Sequence, residues 1–190
     1  MTKVILITGG ARSGKSRYAE ELALSLSKRS ALPLCPAKNP VYVATAHVWD
    51  DEFRERVKKH QARRGPEWTN IEEEMLLSRH DLTGRVAVID CITLWSTNYF
   101  FELQEVDKAL DALKAEFDKF TAKDATYISV TNEIGMGGVS ENAVQRKFTD
   151  LQGWMNQYVA SKADEVTLMV TGIAVKVKGY NSKKVKNESV

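Results

Sequence analysis

Short apolar runs alternate with longer segments of mixed polarity along this chain of 190 residues. The apolar runs predict five strands, which are Val4–Thr8, Val41–Thr45, Val86–Asp90, Thr126–Thr131 and Val166–Val170. The segments between them predict helices over Ser16–Arg29, Glu52–Arg63, Ile92–Phe101, Val106–Phe120 and Glu141–Ala163. In the last of these helices, Val144 and Phe148 are expected to face inward. The alternation predicts an α/β fold, a mainly parallel sheet with helices on both faces.

Four stretches give weaker patterns. Trp68–Glu74 suits a short strand that leads into a helix near Glu73–Ser78. The proline-containing segment Ser30–Asn39 predicts a surface loop, and Gly135–Gly138 predicts a flexible loop. Val175–Val190 holds five lysines and one glutamate, which favours a solvated, partly disordered end.

The stretch Gly9–Ser16 reads GGARSGKS and matches the phosphate-binding pattern G-x-x-x-x-G-K-[ST], with a strand before it and a helix after it. Backbone N–H groups of such a loop surround phosphate oxygens, Lys15 reaches the β- and γ-phosphates, and the Ser16 hydroxyl ligates Mg²⁺. This pattern predicts a P-loop NTPase of the RecA-like type. We expect residues 1–178 to form one nucleotide-binding catalytic domain, with a flexible tail over 179–190.

Polar residues at the carboxyl ends of the strands are informative, because ligands of open α/β sheets bind there. Asp90 ends an apolar strand and is placed to serve Mg²⁺ opposite Ser16, directly or through water. Its alternative role is to cap the helix that follows. Glu133 comes after the fourth strand and suits either a catalytic base or another cap.

Composition excludes several classes of protein. The net charge is +2, and without the lysine-rich end it becomes −2, so the chain lacks the basic surface of a nucleic-acid binder. The two cysteines lie far apart without metal-type spacing. The apolar run Val4–Ile7 is too short for a signal peptide or a membrane span. A reducing, cytoplasmic setting is the expectation.

His60 is one of three histidines, with His47 and His80, and spacing alone gives none of them a role. Basic residues surround it in sequence. These residues are Lys58, Lys59, Arg63 and Arg64. They suit either a solvated basic face or a clamp that binds phosphates.

Six motifs, in order along nearly the whole chain, resemble the bifunctional adenosylcobinamide kinase/adenosylcobinamide-phosphate guanylyltransferase family of cobalamin biosynthesis. They are GGARSGKSRYAE at 9–20, YVATA at 42–46, DDEFRERVKKHQARRGPEW at 50–68, VIDCITLWSTN at 88–98, VTNEIGMGGVSEN at 130–142 and ADEVTLMVTGIAVKVK at 163–178.

The resemblance implies that His60 becomes guanylylated, because the family has a histidine four residues before an arginine and eight before a tryptophan, as Arg64 and Trp68 are here. It also implies GTP or ATP with Mg²⁺, an adenosylcobinamide substrate and a homotrimer. Many relatives have a second histidine where Lys59 stands and glutamate where Asp90 stands. The implied nucleotide contacts are Gly9, Gly10, Ala11, Arg12, Ser13, Gly14, Lys15, Ser16, Ala44, Thr45, Ala46, Gln61, Ala62, Arg63, Arg64, Glu72 and Asp90.

Three other functions remain open from the residues alone. A generic P-loop small-molecule kinase would use the same loop without needing His60. A RecA-like ATPase that binds or moves a partner would add an arginine finger and an interaction surface. A nucleotide-binding module without catalysis is the third.

Overall fold

The sheet is the framework of the protein, and the computed structural model describes it in residues 1–29, 39–47, 51, 54–55, 61–62 and 64–179. Within these ranges the strands are β1 (Lys3–Gly9), β2 (Val41–Ala44), β3 (Thr69–Glu72), β4 (Val86–Asp90), β5 (Thr126–Val130), β6 (Glu165–Val170) and β7 (Ile173–Lys178). They form one seven-stranded sheet in the order β3-β2-β4-β5-β1-β6-β7. All neighbours are parallel except β6 and β7. The predicted α/β class with a mainly parallel sheet is confirmed.

Helices cover both faces of this sheet. They are α1 (Lys15–Arg29), α2 (Ile92–Leu103), α3 (Val106–Thr121) and α4 (Ala143–Lys162). Ile5 and Ile7 of β1 are buried with Ala19 and Ala23 of α1. The alternate residues of β1, beginning with Val4, are buried in the other core with side chains of α2, α3 and α4. Because both faces are buried, β1 reads as a continuous apolar run rather than an alternating one.

The weakest sequence patterns gave the least accurate predictions. The helix predicted near Glu73–Ser78 is only a 3₁₀ turn over Leu77–Arg79, because the Glu73 carboxylate accepts hydrogen bonds from the backbone of Met75 and Leu76 instead. The loop predicted at Gly135–Gly138 contains a 3₁₀ helix, Ile134–Gly137.

The prediction that Val144 faces inward is wrong. Its side chain is 53% exposed, whereas Leu151, Met155 and Val159 of the same helix are fully buried. Helix α4 therefore packs on the core only from about Phe148 onward, where a partly buried ring first reaches it.

The end of the sheet corrects the prediction that the lysine-rich end from Val175 is solvated and partly disordered. Residues Ile173–Lys178 form β7, which pairs with β6. Two lysines in β7 have structural partners: Lys176 pairs with Glu165, and the Lys178 ammonium donates to the carbonyl oxygens of Ala160 and Ser161 at 2.9 and 3.2 Å. Lysines in β7 thus tie the strand to the sheet and to α4.

Several predictions lie outside the described residues. They are the loop at 30–38, most of the helix at 52–63 with His60 and Arg63, and the tail at 180–190. In the part of the chain that the structure describes, no helix combines the length and apolar character that crossing a membrane requires.

Candidate functional site

The glycine loop runs between the end of β1 and the start of α1. Gly9 has a φ of +146°, and a Cβ there would lie 2.4 Å from the carbonyl oxygen of Met169 on β6. Only glycine fits such a close approach in that backbone conformation. On its other side the loop is tied to the β6–β7 turn, where the Gly172 N–H donates to the Ser13 carbonyl at 3.0 Å. Neighbouring backbone therefore contacts the loop at its start and at Ser13.

Lys15 folds back over this loop. Its ammonium donates to the carbonyl oxygens of Gly9 at 2.9 Å and Gly10 at 2.5 Å, and the residue is 7% exposed. Burial lowers the pKa of Lys15, and the nearby Cys91, Asp90 and Glu133 oppose that shift in part. A phosphate group in the loop would offer this buried cation charged acceptors in place of neutral ones.

A cavity of about 500 Å³ opens in front of the loop. Residues 11–17 form one wall, and Asp90, Cys91, Val130 and Asn132 form another. These residues lie at the carboxyl ends of β4 and β5 or just beyond them, as expected for a ligand site in an open parallel sheet. The structure thus brings Lys15, Ser16 and Asp90 around one space.

Asp90 is held by strand β2. The Tyr42 hydroxyl donates to its Oδ2 at 2.5 Å, and the Thr45 N–H donates to its carbonyl oxygen at 3.2 Å. Burial, followed by the charge of Asp90, raises the pKa of Tyr42, so the phenol keeps its proton and acts as the donor. Asp90 is not the helix cap: Cys91 occupies that position, and its Sγ accepts from the Leu94 N–H.

The donor set around the cavity fits Mg²⁺. The Ser16 hydroxyl and the Asp90 carboxylate line the same cavity, and both are hard oxygen donors. Among the described residues, no group of three or more His, Cys, Asp and Glu side chains could hold a metal alone. A cation here would need phosphate oxygens and water to complete its shell, which is how Mg²⁺ is usually bound beside nucleotides.

Thr45 supports the site from behind. It is fully buried, and its hydroxyl donates to the Cys91 carbonyl and accepts from the Cys91 N–H, both at 2.8 Å. The Asn98 side-chain amide donates to the Thr45 carbonyl at 2.8 Å. Thr45 therefore braces the corner after Asp90, while its neighbours Ala44 and Ala46 are partly buried.

Gln61, Arg64 and Glu72 lie outside the lining of this cavity. The Gln61 side chain donates to Glu72 Oε1 at 2.9 Å, so two of the implied nucleotide contacts meet each other. Arg64 lies against Tyr42, with its guanidinium carbon 3.6 Å from the ring centroid. Ala62 is exposed.

Glu133 is held at the base of the loop. Its Oε1 accepts from the Thr8 hydroxyl at 2.6 Å and from the Asn156 amide at 3.2 Å. Its N–H donates to the Gly9 carbonyl at 3.2 Å. Its side chain makes no capping hydrogen bond to the following 3₁₀ helix, so the structure gives it a bracing role.

Comparison with known proteins assigns the family. The family model described as cobinamide kinase / cobinamide phosphate guanyltransferase matches residues 5–177. The chain is 36% identical over 180 residues to the bifunctional adenosylcobalamin biosynthesis protein CobP of Pseudomonas aeruginosa, covering 92% of this chain and 96% of that protein. It is 35% identical over 191 residues to the bifunctional adenosylcobalamin biosynthesis protein CobU of Escherichia coli, covering 92% and 99%. The chain belongs to the CobU family.

Membership in the CobU family makes the chain a transferase that uses a nucleotide, and it confirms the resemblance found in the sequence motifs. The CobU protein of Salmonella typhimurium is similar to the same degree, 35% identical over 194 residues, with 92% of this chain and 99% of that protein covered. Among solved structures, the P4 protein from bacteriophage phi6 in complex with ADP aligns at a TM-score of 0.43 and 13% identity, over 91% of this chain and 52% of that one. That likeness is too distant to support a conclusion.

The histidines of this CobU-family chain differ in their surroundings. His47 Nδ1 lies 2.8 Å from Glu74 Oε2, and His80 Nε2 lies 3.3 Å from Glu73 Oε2. Neither lines the cavity. His60, which the family resemblance singles out, lies outside the described residues.

Sequence reasoning missed Tyr42, Cys91 and Val130 as parts of this site. Tyr42 becomes evident only from the parallel register in the structure, which sets Ala44 opposite Asp90 and so puts Tyr42 on the same face two residues earlier. Cys91 and Val130 carry no such signal, because small apolar residues at strand ends are common in any buried sheet.

Proposed function

We propose that this chain phosphorylates adenosylcobinamide and then transfers GMP from GTP to adenosylcobinamide phosphate, through His60, at one nucleotide site. The observation that supports this most strongly is the shared cavity of Lys15, Ser16 and Asp90 in a chain of this family. In the proposal, the nucleotide contacts inferred from the motifs remain residues 9–16, 44–46, 61–63, Glu72 and Asp90. Arg64, which the motifs also include, contacts Tyr42 and Asn70 instead and is given a different role.

In the kinase step, the corrinoid hydroxyl attacks the γ-phosphorus of GTP or ATP. A new P–O bond forms, the bond to the β-phosphate oxygen breaks, the nucleoside diphosphate leaves and the hydroxyl proton passes to water. Lys15 and the backbone N–H groups of the loop stabilise the charge that develops on the phosphoryl oxygens. Ser16 and Asp90 would hold Mg²⁺, which supplies further positive charge at those oxygens.

In the guanylyl step, a neutral nitrogen of His60 attacks the α-phosphorus of GTP, and pyrophosphate leaves. A phosphate oxygen of adenosylcobinamide phosphate then attacks the same phosphorus, the P–N bond breaks and adenosylcobinamide-GDP forms. Covalent capture divides one difficult displacement into two. Cys91 is a poor alternative carrier although it lines the cavity, since burial raises its pKa to about 12 and leaves little thiolate at neutral pH.

We also propose that residues 1–178 act as one catalytic domain and that the chain forms a homo-oligomer, a trimer by family resemblance. Sedimentation equilibrium of the full chain tests the oligomer: a trimer supports the proposal, and a monomer or dimer at all concentrations overturns it.

Parallel reactions with γ-labelled and α-labelled GTP, Mg²⁺ and adenosylcobinamide test the two steps. We expect the γ label first in adenosylcobinamide phosphate and then, carried with that phosphate, in adenosylcobinamide-GDP. We expect the α label only in adenosylcobinamide-GDP. Transfer of the γ label with no transfer of the α label would instead support a generic P-loop kinase. Absence of both labels from the corrinoid, with folded protein, would overturn the proposal.

A further inference from the structure

A hydrogen bond between neighbouring strands orients the carboxylate of the site. The Tyr42 hydroxyl reaches Asp90 Oδ2 at 2.5 Å. Parallel pairing sets Ala44 opposite Asp90 and Tyr42 opposite Val88, so the tyrosine lies diagonally below the aspartate on the same face. Because the Ala44 side chain is a single methyl group, the phenol can extend past it to the carboxylate.

The Tyr42 ring is itself held on more than one side. The residue is 3% exposed, and Trp68 packs edge-on with ring centroids 6.0 Å apart. The Arg64 guanidinium carbon lies 3.6 Å from the ring centroid. This arrangement fixes both the position and the tilt of the phenol.

Arg64 is anchored away from the cavity. Its Nε donates to Asn70 Oδ1 on β3 at 2.8 Å, and its Nη1 lies 3.8 Å from Glu20 Oε1 on α1. The side chain is only 3% exposed. A cation over an aromatic face also draws electron density from the ring, which strengthens the hydroxyl as a donor.

We infer that Tyr42 is a positioning residue that fixes the Asp90 carboxylate for the metal–nucleotide complex, and that Arg64 acts through Tyr42 rather than as a nucleotide ligand. This inference rests on the proposed function, which gives Asp90 its role at Mg²⁺. The phenol occupies Oδ2, and the other carboxylate oxygen would remain available to hold Mg²⁺. Without this hydrogen bond the carboxylate would rotate freely, and metal binding would have to fix its orientation at a cost in conformational entropy.

The inference also connects two parts of the site. Arg64 follows His60 by four residues, and it contacts the ring whose hydroxyl holds Asp90. The segment after the proposed nucleophile therefore supports the orientation of the carboxylate that serves the phosphates.

The test measures metal binding rather than turnover. Mn²⁺ is titrated into each variant with α,β-methylene GTP, and the free-ion signal is followed by electron paramagnetic resonance. Tyr42→Phe, which keeps the ring and removes only the hydroxyl, should raise the Kd for Mn²⁺ about fivefold, as expected for one hydrogen bond. The matched control is Tyr127→Phe, which removes the buried hydroxyl that donates to the Lys123 carbonyl at 2.9 Å, and it should leave that Kd unchanged.

Arg64→Lys tests the second half of the inference and stands in if Tyr42→Phe does not fold. It keeps the charge but loses the planar stacking, so the Kd for Mn²⁺ should rise while nucleotide affinity measured in EDTA stays the same. A loss of affinity in EDTA would overturn the assignment and make Arg64 a nucleotide ligand.

Asp90→Asn separates this inference from the proposed function. If Asp90→Asn weakens Mn²⁺ binding and Tyr42→Phe does not, the positioning role of Tyr42 is wrong and the metal role stands. If Asp90→Asn leaves Mn²⁺ binding unchanged, the metal role of Asp90 fails, and the inference fails with it.

Discussion

The Lys15 ammonium donates hydrogen bonds to the carbonyl oxygens of Gly9 and Gly10, at 2.9 and 2.5 Å, within its own loop. Those two residues open the segment that the sequence pattern assigns to phosphate binding. The ammonium therefore donates its hydrogen bonds to neutral acceptors of the loop. A bound nucleotide must replace these acceptors with phosphate oxygens. Exchange of neutral for charged acceptors favours binding.

Lys15→Ala should weaken GTP binding at least tenfold, because a hydrogen bond to a charged group contributes about 1.5–3 kcal/mol. Isothermal titration calorimetry of the folded variant measures this loss. Lys123→Ala is the matched control, since that lysine also donates to two backbone carbonyls, those of Ser78 and His80 at 3.2 Å each. It should leave the affinity unchanged, and equal affinity of Lys15→Ala and wild type would refute the role of Lys15.

Gly9→Ala should lower the free energy of unfolding by more than about 2 kcal/mol, through a strained backbone and a close contact. A Cβ at Gly9 would lie 2.4 Å from the Met169 carbonyl oxygen, whereas one at Gly10 would have no heavy atom within 4 Å. Gly10→Ala should therefore change the free energy of unfolding by less than about 0.5 kcal/mol. Urea denaturation measures both, and similar values for the two variants would show that the loop backbone adapts.

Much of the sheet could be predicted because its central strands are buried on both faces. The prediction of β4 over Val86–Asp90 is confirmed, and α1 begins one residue before the predicted start at Ser16. Continuous apolar runs mark such strands whatever lies around them. The glycine loop was equally clear, because its pattern combines residue type, spacing and flanking elements.

The rest depends on partners that are distant in sequence. β7 was missed because Lys176 and Lys178 look like a solvated end until Glu165 and the end of α4 are placed beside them. The Tyr42–Asp90 contact joins residues 48 positions apart, and no local pattern encodes it. Val144 has the helical spacing of a core residue, but the position of α4 on the sheet leaves it exposed.

Glu165→Gln should lower the free energy of unfolding by about 1 kcal/mol at pH 7, given the usual size of partly exposed ion pairs. Glu165 joins β7 to β1: it pairs with Lys176, and its Oε1 lies 2.5 Å from the Lys3 ammonium. Hydrogen bonds from Lys176 and then Lys3 lower its pKa below the usual 4.5. The stabilisation is therefore present above pH 4.5 and disappears as the pH falls through the lowered pKa.

Urea denaturation of Glu165→Gln at pH 7 and at pH 3 tests this pH dependence, and the difference from wild type should shrink at the lower pH. Glu105→Gln is the control, because its pair with Lys108 is largely exposed and should contribute little at either pH. If the difference in the free energy of unfolding between Glu165→Gln and wild type were the same at both pH values, the charge of Glu165 would not be what stabilises β7.

The central claim is that GMP passes through His60 on its way to the corrinoid. Intact mass measured after incubation with GTP and Mg²⁺, followed by peptide mapping and a chase with adenosylcobinamide phosphate, tests it most directly. The account predicts one GMP per chain on the peptide that contains His60, as an acid-labile and alkali-stable phosphoramidate. The chase should release that GMP as adenosylcobinamide-GDP. His60→Ala should carry no GMP, and His80→Ala should carry as much as the wild type. Formation of adenosylcobinamide-GDP at the wild-type rate by His60→Ala would contradict the account.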